Sequence, residues 1–159
     1  MRGYMFDTNS FNRILVEDVQ SAISRGCIVY ATHVQREELG RTPSEDRRAK
    51  LLATFTAIQP VMRSTSIAVR DDSLWDESRY SADDSVYRKM LERLQEIDRE
   101  SGKRPKDDFN QSRDVRIAET AIREKVTLVT GDAGLLAVTN ESGGRAIGFE
   151  QFQRETSAC

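Results

Sequence analysis

Short runs rich in apolar and β-branched residues, at 3–6, 27–31, 127–130 and 145–149, alternate with longer segments whose apolar side chains recur at helical spacing. That alternation restricts the chain to few architectures. Strands divided by helices join through right-handed crossovers into a mostly parallel sheet with helices on both faces, the α/β class. With a weaker strand at 66–69, the sheet is expected to hold about four to five strands. Ser10 is expected to cap a first helix carrying Ile14, Leu15, Val19, Ala22 and Ile23, and Thr32 to cap a second that runs to Gly40. Thr42 and Pro43 open a third, which ends at Pro60. Residues 84–99 form an amphipathic helix, 101–109 a polar loop, about 113–125 a helix and 133–139 a short one; 71–80 carry no clear signal.

Four acids stand where a strand hands over to a helix or a helix begins: Asp7, Glu38, Asp114 and Asp132. The strand exits of a parallel sheet open onto one edge, where ligands bind, so these carboxylates can meet. Crowded carboxylates repel one another, and oxygen-ligated Mg²⁺ or Mn²⁺ is the usual relief. Such a site most often hydrolyses a phosphodiester. The competing reading makes the acids helix caps. It is weak at Asp7, because Ser10 lies nearer the expected helix start, and stronger at Asp114 and Asp132. Thr8 and Asn9 add a hydroxyl and an amide beside Asp7. Glu37 and Glu38 point roughly 100° apart on a helix, and spacing alone does not choose between them. His33, the single histidine, reads as a capping or surface residue, and no Ser, Thr or Cys has the partners of a covalent nucleophile.

At 159 residues the chain suits one domain, placed at 1–150 with a charged, helix-containing insertion at about 71–107 and a tail at 151–159. No run approaches the roughly 20 apolar residues of a membrane span, and the start lacks a signal peptide's apolar stretch, so no membrane association and a cytoplasmic location are expected. Cys27 and Cys159 fit a reducing compartment and cannot build a zinc site with one histidine. A net charge of −2 means that any polyanion must be held locally. Two basic runs offer themselves: Arg41, Arg47, Arg48 and Lys50, then Arg99, Lys103, Arg104, Lys106, Arg113 and Arg116. The plain alternative is solvated helix faces paired with glutamates.

The ordered set F-D-T-N, T-H-V-Q-R-E-E-L-G, N-Q-S-R-D-V-R-I-A-E-T-A-I and L-V-T-G-D-A-G-L resembles the PIN-domain nucleases, which include the VapC-type ribonuclease toxins of toxin–antitoxin systems. The resemblance covers about residues 3–58 and 108–150. It implies a Rossmann-like three-layer α/β/α domain and a Mg²⁺- or Mn²⁺-dependent endoribonuclease acting on single-stranded or structured RNA. Carried over by motif, Asp7, Asp114 and Asp132 are the metal ligands, and Glu38, paired with Leu39, is the fourth catalytic acid. Thr8, Asn9, Asn110 and Thr130 are supporting polar residues, while Arg41, Arg47, Arg113 and Arg116 would hold RNA phosphates. An antitoxin partner and a homodimer are further expectations. Residues 71–107 match nothing in the family. Two readings compete: a PIN-like module that binds RNA or protein without cutting, and phosphoryl transfer through an aspartyl intermediate. The latter needs an acid two residues after Asp7, where Asn9 stands.

Overall fold

The computed structural model describes residues 1–65, 85–102 and 108–157. The strand expected at 66–69, the stretch 71–80, the basic residues Lys103, Arg104 and Lys106, and Cys159 lie outside them. Five parallel strands, β1 (Gly3–Phe6), β2 (Ile28–Ala31), β3 (Val61–Met62), β4 (Thr127–Val129) and β5 (Arg145–Ile147), lie in the order β3-β2-β1-β4-β5. The chain builds outward from β1 to β2 and β3, then returns to β1's other side for β4 and β5. The order therefore reverses between β1 and β4, the switch point at which α/β sheets open a crevice.

Side chains alternate across the sheet with the strand period of two. Tyr4, Phe6, Val29, Val129 and Ile147 enter one core, and Met5, Leu128 and Ala146 enter the other. The first core is closed by α1 (Val16–Ser24), α3 (Glu45–Ala57) and α7 (Phe149–Ser157) through Val19, Ala22, Leu51, Phe55 and Phe152. The second is closed by α4 (Ser85–Glu100), α5 (Asp108–Arg123) and α6 (Ala133–Glu141) through Met90, Leu94, Ile117, Ala121, Leu135 and Val138. The remaining helix, α2 (His33–Gly40), sends Val34 to the second core and Leu39 to the first. The three-layer α/β/α arrangement is thus the observed one.

Several boundaries differ from the sequence reading. After β1 the chain makes a 3-10 turn, Thr8–Asn12, and α1 starts only at Val16; Asp7, not Ser10, caps the turn. Ser44, not Thr42, caps α3. The third strand is Val61–Met62. The helix expected from about residue 113 starts at Asp108, where Arg113 stacks on Phe109 with Cζ 4.1 Å from the ring centroid and Gln111 Nε2 donates to Asp98 Oδ2 at 2.7 Å. Within the stretch read as a charged insertion, α4 packs against α5 and α6 with Met90 and Leu94 buried. Phe152 on α7 is 1% exposed and meets Tyr4 and Phe6 edge-on, with ring centroids 5.0 and 5.1 Å apart.

Candidate functional site

Asp7 follows the last residue of β1 and is 2% exposed. Its Oδ1 accepts the backbone N–H of Ser10 at 2.8 Å and the Ser10 hydroxyl; its Oδ2 accepts the Thr130 hydroxyl at 2.5 Å. Thr130 follows β4, and its Oγ1 in turn accepts the backbone N–H of Asp132 at 3.0 Å. Asp7, Thr130 and Asp132 are thereby linked across the switch point of the sheet. Asp132 also caps α6, its Oδ1 accepting Leu135 N–H at 3.0 Å. Both acids are caps, and Asp132 also lines a cleft, so for Asp132 the two readings do not exclude each other.

The two glutamates differ in their surroundings. Glu37 lies 4.0 Å from Arg41, whereas Glu38 Oε2 is buried without a hydrogen-bond partner. Their helix α2 packs against both the 3-10 turn and α5. Its N-terminus is pinned by a capping box. Gln35 Oε1 accepts Thr32 N–H at 2.6 Å, and Gln35 Nε2 donates to the Phe6 carbonyl at 3.0 Å, tying α2 to the exit of β1. His33 at that start is 1% exposed, an interior residue instead of a surface one.

Asp114 is 8% exposed and sits in the second turn of α5, because the helix starts five residues earlier than expected. The first-turn preference for acids therefore does not explain it. Asn110, one turn earlier, is exposed. Thr8 is 7% exposed, and its Oγ1 is buried without a partner. Among the described residues no three His, Cys, Asp or Glu side chains are gathered as a metal site would gather them. The donor chemistry is of the kind a hard cation takes: the carboxylates of Asp7 and Asp132 after strands, and on α2 Glu38 Oε2, buried and without a hydrogen-bond donor.

The expected phosphate-binding arginines divide. Arg47 is exposed and lines a cleft of about 360 Å³ together with Asn9, Arg13, Gly131 and Asp132. Arg41 is exposed beside Glu37. Arg113 and Arg116, at 3% and 1% exposure, are interior arginines of α5 and not the exposed ones that the sequence suggested. Reading the sequence also missed Gln35, although T-H-V-Q has the spacing of a capping box. It missed Asp98, an acid one turn beyond Leu94 on the apolar stripe of α4. Asp98 is 3% exposed, with Oδ1 unpartnered. A Cβ built on Gly134 would lie 3.2 Å from Asp132 Oδ1 and 3.5 Å from Asp98 Oδ1, so Asp98 borders the same corner. Arg13, also missed, had no sequence signal.

Compared with solved structures, the chain matches PAE2754 from Pyrobaculum aerophilum at a TM-score of 0.53 and 17% identity, over 99% of this chain and 98% of that one. It also matches VapBC2 from Rickettsia felis, a structure bound to a DNA fragment from its promoter, at 0.50 and 15% identity over 92% and 98%. The chain has a PIN-domain fold. In the PIN fold of this chain, the ends of β1 and β4 carry Asp7 and Asp132, and α2 and α5 carry Glu38 and Asp114. No protein-family profile matches the sequence, and no curated protein does. No helix among the described residues is long and apolar enough to cross a membrane.

Proposed function

We propose that this PIN-fold protein is a divalent-metal-dependent endoribonuclease that hydrolyses phosphodiester bonds of single-stranded RNA, as the toxin of a toxin–antitoxin pair. The observation that carries the reading is the coupling of Asp7 to Asp132 through Thr130 at the switch point, with a buried, donorless Glu38 oxygen on α2. Asp7, Asp114 and Asp132 would hold Mg²⁺ or Mn²⁺, and Glu38 would bind it or orient the attacking water. A divalent ion in such a site lowers the pKa of water and offsets charge at phosphorus. The chain's own contribution is orientation. Ser10 and Thr130 fix both oxygens of Asp7, and the α6 cap fixes Asp132. The likeness to VapBC2 supports the toxin role and an antitoxin partner.

A second reading, a PIN-like module that binds without cutting, is favoured by the lack of a three-ligand cluster among the described residues. One experiment separates the two. Purified protein with Mn²⁺ or Mg²⁺ should cleave single-stranded RNA, excess chelator should stop it, and Asp7→Asn should abolish it. Cleavage that survives chelation would remove the metal mechanism. Silence of the wild type across varied RNAs and both ions would leave the binding module.

A further inference from the structure

The cleft beside Asp132 has a basic wall that the carboxylates do not explain. Arg13 closes the 3-10 turn after Asp7, and Arg47 stands in the first turn of α3; both are exposed and both line the cleft. Several arginines elsewhere pair with carboxylates: Arg93 with Glu96 and Glu141, Arg145 with Glu155, Arg63 with Glu124. Among the described residues Arg13 and Arg47 have no such partner, in a chain whose acids outnumber its bases by 26 to 24.

Their placement is specific. Arg47 Nη2 donates to Asn12 Oδ1 at 2.8 Å, and Asn12 Nδ2 donates to the Asn9 carbonyl at 3.3 Å, so the guanidinium is aimed by the turn that follows Asp7. A cation in the first turn of a helix opposes the macrodipole, so Arg47 does not serve α3's own stability. The same helix end favours an anion placed before it. Arg13 lies against Gly131, the residue between Thr130 and Asp132. A Cβ there would stand 3.3 Å from Nη1 and 3.8 Å from Cζ, so the guanidinium lies in close contact with this backbone. Two guanidiniums from separate elements thus face one cleft with Asp132 on its lining.

We infer that Arg13 and Arg47 form a clamp for the phosphodiester backbone of single-stranded RNA, holding phosphates beside the acidic corner. Guanidinium groups suit phosphate oxygens by charge and by their paired N–H geometry. The clamp offsets the repulsion that Asp7 and Asp132 exert on a polyanion, and it reads charge, not base identity. The inference rests on the nuclease reading for its substrate, but binding can be measured without cutting.

The test uses the full chain and a fluorescently labelled single-stranded RNA oligonucleotide. Anisotropy in chelator and steady-state cleavage in Mn²⁺ are both followed between 50 and 200 mM salt. Arg13→Gln and Arg47→Gln should each weaken binding about three- to tenfold at the low-salt end and flatten the slope of log affinity against log salt by about 0.7, the single-strand value for one lost phosphate contact. In cleavage the same variants should raise KM more than they lower kcat. Arg25→Gln, at an exposed arginine that follows the C-terminal end of α1, should change neither. Variants that keep the wild-type salt slope and KM would overturn the clamp while leaving the nuclease standing. RNA bound with the expected losses but never cut would keep the clamp and overturn the nuclease. A wild type that binds no RNA in chelator or in Mn²⁺ would overturn both.

Discussion

Replacing Thr130 by Val exchanges a hydroxyl for a methyl group at a residue 1% exposed, with almost no change of shape. The loss falls on two groups at once. Asp7 Oδ2 gives up its donor at 2.5 Å, and Asp132 N–H gives up its acceptor at 3.0 Å. A hydrogen bond to a buried charged group contributes roughly 1.5–3 kcal/mol, and the half-buried amide adds about 0.5–1 when left to compete for water. Burying a methyl in place of the hydroxyl returns about 1 kcal/mol. The net cost should be about 2 kcal/mol, which for a domain of this size lowers Tm by roughly 4–8 °C. Urea unfolding and thermal melts in chelator measure it. A double-mutant cycle with Asp7→Asn isolates the shared bond, with an expected coupling of about 1 kcal/mol or more. If Thr130→Val costs under about 0.5 kcal/mol, or costs the same whether residue 7 is Asp or Asn, the two strand exits are not coupled through this hydroxyl and the reasoning fails.

Glu38→Gln should stabilise the chelated protein by about 1 kcal/mol, because it removes the charge from a buried oxygen that has no donor. It should also shrink the thermal shift that Mn²⁺ produces, and Glu37→Gln should do neither; equal behaviour of the two variants would undo the assignment. Asp98→Asn keeps an acceptor for Gln111 while discharging an oxygen that borders the Gly134 corner, so it should lessen the Mn²⁺-induced shift without lowering Tm in chelator. A lowered Tm with the metal response intact would make Asp98 purely structural. The Arg145 guanidinium holds the Glu155 carboxyl below its ordinary value and joins β5 to α7. Its stabilisation is present above the normal carboxylate range and is lost as pH falls through the lowered pKa. Glu155→Gln should therefore cost under about 1 kcal/mol at neutral pH and nothing at low pH, read from melts across that window. A cost that persists in acid would show that packing, not charge, is at stake.

Local physics is written along the chain, and much of this protein could be read from it. Strand runs against helical spacing already specify a parallel sheet covered on both faces, since a period of two or 3.6 is set by neighbouring residues. Thr32 as a cap and Asp132 before α6 follow from the same short-range hydrogen bonding. Where local signals are degenerate, they misled. Ser10 and Asp7 can both cap, and only the 3-10 turn decides for Asp7; α5 starts before its expected place, and its added turn holds Gln111, bonded to Asp98 thirteen residues away. Candidate acids were visible through their motifs, but which of them touch was not. The bond from Thr130 to Asp7 spans 123 residues and exists because β4 lies beside β1, a pairing that no local pattern encodes. The same holds for the buried side of Glu38, the inward turn of Arg116, and the meeting of Arg13 with Arg47 at one cleft. Sequence alone determined the elements and the chemistry available to them; sheet order and helix packing decided which side chains share a space, because burial and distance belong to the assembled layers and not to any one segment.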